Sequence, residues 1–439
     1  MLLSFTASNF RAFAEEIHLD LTRPSLRTNV PREGVSWVDS TVRVAGIFGP
    51  NASGKSTVLD AIDVLARSLR TDRWLLHAPS KASGGDERPT AYRVQFVAEK
   101  VRYEYEVTAM PWGIAREVLS SFPRGSRRLL FMRRQEDQGS PVLVERGASL
   151  TGPTAEVGRI TTPRALFLAT AHRYGHDVLA PIARALMRGA GVESISFRDR
   201  QDENVLHRVV TEMLADPGLQ TEMASALAHA ADLGLESIEI AEAELPEGVR
   251  ERARRLLEAL DDGADIGPDD LPTVAKKLVF THRGSEGRTF TLGLAAQSAG
   301  TVTWLTTIWH ALHALRRGTV LLIDELDASL HPTLSRYIVE LFVTPHFNEN
   351  GAQLIFTSHD ATLLGNSPTK LLAPAEVWFV EKNSEGTAEL FPLASFDSRR
   401  GSNNEKRYLA GAFGAVPVID DRLILQHMAR GIEAGERVG

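Results

Sequence analysis

The sequence predicts an α/β protein with a mixed β-sheet, and three segments carry that prediction. A short apolar run at residues 44–48 leads into a glycine-rich loop and then into residues 57–69, where apolar side chains recur at helical spacing. Residues 320–323 are all apolar and are followed by two carboxylates, as in a buried parallel strand that reaches the ligand-binding edge of a sheet. Residues 90–122 alternate apolar and polar side chains, which predicts antiparallel strands.

The loop after the first apolar run has the pattern G-x-x-x-x-G-K-S, which cradles phosphate groups. Gly49 and Gly54 let backbone N–H groups crowd around an anion, and the helix that follows turns its positive end toward it. Lys55 would reach the β and γ phosphates, and the Ser56 hydroxyl would bind Mg²⁺. We therefore predict a nucleotide-binding loop made of Gly49, Pro50, Asn51, Ala52, Ser53, Gly54, Lys55, Ser56 and Thr57.

The two acids that follow the second apolar run predict the catalytic part of the site. Asp324 would hold Mg²⁺ directly or through water, and Glu325 would act as the general base on the attacking water. Taken alone, such a strand can also be an ordinary one that reaches solvent. The phosphate loop upstream favours the catalytic interpretation, with ATP and Mg²⁺ as cofactors and Ser56 and Asp324 as the metal ligands.

Length, charge and cysteine content exclude several classes of protein. The chain has 439 residues, enough for two or three domains, and its formal net charge of -7 argues against a uniformly basic surface that coats nucleic acid. No stretch approaches the length of an unbroken apolar membrane span, so we expect no membrane segment. The absence of cysteine excludes disulfides, thiol catalysis and cysteine zinc sites, and fits the cytoplasmic location that we expect.

The distribution of these patterns predicts three parts. Residues 1–175 would form an N-terminal ATPase lobe with the phosphate loop and the antiparallel β element. Residues 176–270 have a bias toward Ala, Leu, Glu and Arg with helix breakers between, which predicts a helical insertion. Residues 271–439 return to α/β alternation and would form the C-terminal ATPase lobe.

Three further segments resemble the conserved motifs of ABC-type ATPases. Residues 297–301, Gln-Ser-Ala-Gly-Thr, are similar to the ABC signature and precede a predicted helix; residues 326–332 resemble the D-loop, and 354–360 the strand that ends in the switch histidine. The resemblance implies an ABC-ATPase-type P-loop fold and an ATP-dependent head-to-head homodimer. It also implies roles for four residues: Ser298 and Gly300 contact the γ-phosphate held by the other subunit, Asp327 belongs to the nucleotide site, and His359 lies near the γ-phosphate.

Both ends of the chain narrow the resemblance to a subgroup. Residues 9–13, Asn-Phe-Arg-Ala-Phe, resemble the opening of SMC, RecF and OLD-like ATPases, while residues 377–382 and 407–417 resemble the tail of stand-alone bacterial ATPases of the RloA/AbiLi type, to which the AriA ATPase is similar. The resemblance implies a sensor or regulator of an abortive-infection defence against phage, acting with a separate effector such as a TOPRIM-like nuclease. It would place Arg11 near the adenine or ribose; Arg11 could equally be an ordinary surface arginine.

Other functions stay open at the level of sequence. The segment from residue 116 to residue 134 contains six arginines and only one acid, Glu117. The arginines could bind nucleic-acid phosphates or form the solvated rim of a β-hairpin. They are Arg116, Arg124, Arg127, Arg128, Arg133 and Arg134. Contact with nucleic acid would favour a RecF-like or SMC-like ATPase of DNA repair. A scaffold that binds ATP and hardly hydrolyses it is the second alternative. A transporter ATPase fits less well, because the signature is not Leu-Ser-Gly-Gly-Gln and the candidate Q-loop, residues 167–173, has no glutamine.

Overall fold

The computed structural model describes residues 1–71, 76–82, 84–189, 193–196, 209, 235–244, 247–248, 251–252, 274–396 and 402–417. The chain divides into two compact units. The first comprises residues 1–194, 314–327 and 335–439, and the second comprises residues 195–313 and 328–334.

The first unit contains a seven-stranded antiparallel sheet, which confirms the antiparallel strands predicted for residues 90–122. Its strands are β1 (Leu2–Ser8), β2 (Ile17–Asp20), β4 (Thr90–Ala98), β5 (Val101–Met110), β6 (Gly113–Ser121), β7 (Arg128–Arg134) and β8 (Leu143–Arg146). They are ordered β2-β1-β4-β5-β6-β7-β8. Alternate residues along β4 are buried, so one face of this sheet packs on the core and the other carries the polar side chains.

The second sheet is mixed and carries the predicted phosphate-loop strand at its centre. Its strands are β3 (Val44–Phe48), β9 (Glu193–Ile195), β13 (Val320–Ile323), β14 (Gln353–Ser358), β15 (Val377–Lys382) and β16 (Ala388–Pro392). The order is β16-β15-β3-β14-β13-β9. Strands β15, β3, β14 and β13 are parallel neighbours, which brings their carboxyl ends to one edge of the sheet.

Helices cover these sheets and lead away from the strand ends. Those described are α1 (Lys55–Ser68), α2 (Thr154–Ile160), α3 (Phe167–Arg173), α4 (Leu179–Gly189), α5 (Ala299–Arg317), α6 (Pro332–Val343) and α7 (Asn404–Leu409). Helix α1 buries Val58, Ile62 and Leu65 in the same core as Phe5 and Phe96 of the antiparallel sheet. Among the described residues, no helix combines the length and apolar character needed to cross a bilayer.

The second unit contains a three-stranded antiparallel sheet of β10 (Leu235–Glu244), β11 (Val274–Arg283) and β12 (Thr289–Gly293). The helical prediction for the insertion at 176–270 is therefore wrong for residues 235–244. Ala and Glu favour helix by only a few tenths of a kcal/mol per residue, and pairing with nine residues of β11 overrides that preference.

The rest of the predicted insertion contains helix α4, and most of its remaining residues lie outside the described part of the chain. Residues 271–313, assigned by sequence to the C-terminal lobe, group with the second unit. The bounds predicted for the three parts otherwise stay predictions.

Candidate functional site

The phosphate loop runs from strand β3 into helix α1, as the sequence predicts. Gly54 has φ 111° at the N-terminus of α1, in the left-handed region that favours glycine. A Cβ atom on Gly49 would clash with the carbonyl oxygen of Val380, so the loop can pass strand β15 only with glycine there. The path of the backbone therefore requires glycine at both positions, in addition to the space that an anion needs.

Lys55 is buried at the start of α1 and folds over the loop. Its Nζ donates hydrogen bonds to the carbonyl oxygens of Gly49, at 2.9 Å, and Pro50, at 3.0 Å. Burial lowers the pKa of the Lys55 ammonium, while the carboxylates of Asp324, Glu325 and Asp327 act in the opposite direction. The Lys55 ammonium is thus held inside the phosphate loop by two carbonyl oxygens and lies within the field of these three carboxylates.

Ser56, Asp324 and Thr357 meet through hydrogen bonds although they lie far apart in the sequence. The Ser56 hydroxyl donates to Oδ1 of Asp324 at 2.9 Å, and the Thr357 hydroxyl donates to the same oxygen at 2.6 Å. Parallel pairing of β13 with β14 and of β14 with β3 brings the three residues to one sheet edge. Hydroxyl and carboxylate oxygens are the ligands that Mg²⁺ prefers, so Ser56 and Asp324 fit the predicted metal pair.

Glu325 lies just past the end of β13 with φ 52°, an uncommon conformation for a residue other than glycine. Its backbone N–H donates to the Thr357 hydroxyl at 2.7 Å, and the N–H of Leu326 donates to the Thr357 carbonyl at 2.9 Å. Thr357 therefore fixes both acids, Asp324 by its side chain and Glu325 by its backbone. This role of Thr357 was not predicted, and its only sign in the sequence is that Thr357 precedes His359 by two positions.

His359 and Asp327 are also neighbours. The backbone N–H of His359 donates to Oδ1 of Asp327 at 3.1 Å, so this carboxylate holds the chain at the end of β14. Burial lowers the pKa of the His359 imidazole, and the Lys55 cation lowers it further, against the opposing charges of Asp327, Glu325 and Asp324. The lowered pKa favours the neutral ring, which donates a hydrogen bond from one nitrogen and accepts one at the other.

Arg11 lies in the turn after β1, where it forms an ion pair with Asp60 of α1 and places its guanidinium 5.2 Å from the Phe10 ring centre. Asp60 follows Ser56 by one helical turn. Burial raises the pKa of the Asp60 carboxyl, and the charge of Arg11 opposes the shift. The predicted contact of Arg11 with adenine or ribose stays a prediction, and Asp60 is the partner that the sequence did not indicate.

The signature residues lie in the second unit at the start of α5. The N–H of Thr301 donates to the Ser298 hydroxyl at 3.1 Å, so Ser298 caps the helix in the manner usual for serine. A Cβ atom on Gly300 would lie 3.1 Å from the carbonyl oxygen of Ser329, which leaves little room for a side chain. Ser298 and Gly300 thus sit at the positive end of a long helix, a position suited to an anion, and their role across a dimer stays a prediction.

The comparisons with known proteins agree with this geometry. The family described as "AAA domain, putative AbiEii toxin, Type IV TA system" matches residues 44–169 and 173–365, well over half of the chain. The chain belongs to this AAA-domain family. Its match spans the phosphate loop, both acids and His359, and confirms a P-loop ATPase with the mixed α/β fold predicted from sequence.

One solved structure is similar in coverage but not in sequence to this AAA-domain protein. The SMC head domain from Thermotoga maritima is 13% identical to it, with 89% of this chain and 98% of that chain covered and a TM-score of 0.33. No curated protein matches the chain. Membership of the RloA/AbiLi subgroup stays a prediction.

We expect Thr357→Val to lower both stability and Mg²⁺-dependent nucleotide binding. Valine fills the buried position but leaves the N–H of Glu325 without its acceptor and removes one donor to Asp324. Losing hydrogen bonds of this kind costs about 2 kcal/mol, so the thermal midpoint should fall by a few degrees. The Mg²⁺ concentration that gives half-maximal ATP binding should rise several-fold. Thr357→Ser keeps the hydroxyl and should stay close to wild type in both measurements; equal effects of the two variants would contradict the role assigned to the hydroxyl.

Proposed function

We propose that the protein binds and hydrolyses ATP with Mg²⁺, at sites shared between two copies of the chain held head to head. The observation that carries the first half of this proposal is the hydrogen bond from Ser56 to Asp324, 2.9 Å long, beside the buried cation of Lys55. It joins the end of the phosphate loop to the end of an apolar strand, the arrangement from which P-loop ATPases hold a metal and its nucleotide.

Each residue of the site then has a defined task. Lys55 exchanges the loop carbonyls for the β and γ phosphates, and Mg²⁺, when bound by Ser56 and Asp324, neutralises phosphate charge. Glu325 accepts a proton from the attacking water. His359 stays neutral and is aligned by Asp327, so its ring can donate a hydrogen bond toward the γ-phosphate without adding charge.

The second half of the proposal rests on the position of the signature. One chain has a single phosphate loop and a single Ser298-Ala299-Gly300 segment at the start of α5. If the segment completes the site of another copy, two copies related by a twofold axis form two equivalent sites. The homodimer therefore follows from the resemblance to ABC-type ATPases together with the exposed helix start.

In its biological role the protein would be a sensor or regulator of an abortive-infection defence against phage, located in the cytoplasm and acting through a separate effector such as a TOPRIM-like nuclease. The resemblance of residues 9–13, 377–382 and 407–417 to such ATPases supports this role. The family description, which names a toxin and a toxin–antitoxin system, points to the same kind of setting.

A DNA-repair ATPase is the weaker candidate, because the arginine strip at 116–134 is not an open basic surface. Arg133 is fully buried and donates to the carbonyl oxygens of Ile114 and Pro163. Arg116 pairs with Glu106, and Arg127 lies 3.4 Å from both Glu104 and Glu106. Half of the strip is thus committed to contacts within the sheet.

Mixing two inactive variants tests the shared site. Ser298→Arg should abolish ATP turnover, because the large cation blocks closure onto the partner, while ATP binding by the same chain survives. Lys55→Ala should bind ATP at least about 10²-fold more weakly and so turn over no ATP at the concentration of the assay. A mixed dimer has one intact site, formed by the Ser298→Arg loop and the Lys55→Ala signature, so the mixture should recover up to about half of the wild-type turnover per mixed dimer if the two sites act independently.

Ser285→Arg is the matched control, since Ser285 is exposed in the same unit, and it should keep full turnover. Subunit exchange is checked by pull-down of differently tagged chains. Full activity of Ser298→Arg alone would exclude the shared site. A mixture that exchanges subunits without any gain would exclude independent sites.

A further inference from the structure

A pocket lies on the polar face of the antiparallel sheet, and none of its lining residues belongs to the nucleotide site. Its volume is about 800 Å³, within the range of small-molecule sites. The floor is formed by side chains of β1, β2, β4 and β5, and the walls by two loops, residues 26–31 and 124–126.

Three arginines line this pocket: Arg27, Arg102 and Arg124. None of the three forms an ion pair with a described residue, whereas Arg116 on β6 and Arg127 just before β7 are paired with glutamates. Guanidinium groups that converge on one cavity without carboxylate partners are suited to an anion, and to phosphate in particular, because of their planar fork of donors.

Arg102 is held in place rather than free to rotate. Its Nη2 donates to Oε1 of Gln95 at 2.7 Å, Nη1 donates to the carbonyl oxygen of Asn29 at 3.4 Å, and the guanidinium lies 5.3 Å from the Phe122 ring centre. Its Nε is buried without a hydrogen-bond partner. Burial lowers the pKa of Arg102, against the charges of Glu104 and Asp20, so the guanidinium is partly desolvated and would gain from an anionic partner.

The walls of the pocket are also fixed. Arg124 has φ 57°, an uncommon conformation that displays its side chain at the tip between β6 and β7. The side-chain amide of Asn29 donates to the carbonyl oxygen of Gly125 at 3.0 Å and joins the two loops. The cavity is therefore formed before any ligand arrives, which reduces the entropic cost of binding.

The acidic side chain in the pocket is already occupied. Among the described lining residues Asp20 is the only carboxylate, and its Oδ1 accepts hydrogen bonds from the backbone N–H and the hydroxyl of Thr22, at 2.8 and 2.7 Å. Three guanidinium groups against this one carboxylate give the lining a formal excess of positive charge.

We propose that this pocket is a second anion site, separate from the phosphate loop, which binds a phosphate-bearing small molecule of about nucleotide size between Arg27, Arg102 and Arg124. A nucleic-acid strand would need a continuous basic track, so a small molecule suits this pocket better. The paired and buried arginines of β6 and β7 interrupt such a track.

Inorganic pyrophosphate is the probe, titrated calorimetrically without Mg²⁺ into the full chain carrying Lys55→Ala, so that the phosphate loop does not contribute. We expect one saturable site. Adding Arg27→Gln and Arg124→Gln together should weaken it about tenfold or more, since two charge-assisted contacts are lost. Both residues are exposed, so folding should be unaffected, as the thermal midpoint will show. Arg128→Gln is the matched control, because Arg128 is exposed on β7 but does not line the pocket.

The proposal is overturned if pyrophosphate shows no saturable binding, or if the double variant and the Arg128 control have the same affinity. It is also overturned if pyrophosphate fails while a single-stranded oligonucleotide binds with the steep salt dependence of a polymer and loses that binding in the double variant. Arg102→Lys keeps the positive charge but removes the planar fork of N–H donors. If the fork binds the phosphate, this variant should bind pyrophosphate more weakly than the parent protein.

Discussion

Lys55→Ala is expected to reduce ATP affinity by at least about 10², because two charge-assisted contacts to the β and γ phosphates are worth about 3 kcal/mol together. In the structure the Lys55 ammonium already lies inside the phosphate loop. Its Nζ donates to the carbonyl oxygens of Gly49 and Pro50, inside the loop that would receive the phosphates. Equilibrium binding of a labelled ATP analogue, with and without Mg²⁺, measures the loss.

The thermal midpoint and a matched control separate this effect from a loss of fold. Burial lowers the pKa of Lys55, which shows that the site already disfavours its charge, so alanine should leave the thermal midpoint close to that of the wild type. Lys370→Ala removes an exposed lysine from the same unit and should keep wild-type affinity. Affinity within about twofold of wild type in Lys55→Ala would show that another group neutralises the phosphates.

The fold of the site was predictable wherever local pattern determines it. The G-x-x-x-x-G-K-S loop, the apolar strand before Asp324 and the strand before His359 all lie where the sequence placed them. In each of these segments the identity of the residues follows from short-range needs: glycine where the backbone crowds, and apolar side chains where a central strand is buried on both faces.

The contacts that organise the acids were not predictable, because they join residues distant in sequence. Thr357 reaches Asp324 only through the pairing of β14 with β13, and Asp60 meets Arg11 only because α1 returns beside the turn after β1. Arg133 is a second case in which a long-range contact could not be predicted from the sequence. Alternation on β7 does not reveal which of its faces is covered, and burial turned a predicted surface charge into a core hydrogen-bond donor.

The strand at residues 235–244 marks a different limit. Its Ala and Glu residues favour a helix when only neighbours in sequence are considered, and the strand exists because β11 offers a full set of backbone partners. The alternation Ile238-Glu239-Ile240 was a strand signal, but it was too short to outweigh the composition around it.

Glu325→Gln is expected to preserve binding of ATP and Mg²⁺ but to slow hydrolysis by about 10² or more, the contribution typical of a general base. Glutamine has nearly the same shape, and the backbone of residue 325 is held independently of the side chain by the hydrogen bond of its N–H to Thr357. The substitution therefore removes the proton acceptor without moving Asp324 or the metal site. Acid-quenched phosphate formation in a single turnover, with the protein in excess over ATP, reports the chemical step without product release.

Glu385→Gln is the matched control, because Glu385 is exposed in the hairpin between β15 and β16, and its turnover should equal that of the wild type. If Glu325→Gln hydrolyses ATP at the wild-type rate, the base lies elsewhere, and His359 is the next candidate, since its lowered pKa keeps the ring neutral and able to accept a proton. The His359→Asn variant, assayed across a range of pH, distinguishes the two. With Glu325 as base, His359→Asn lowers the rate without removing activity, whereas a histidine base would make that variant inactive at every pH.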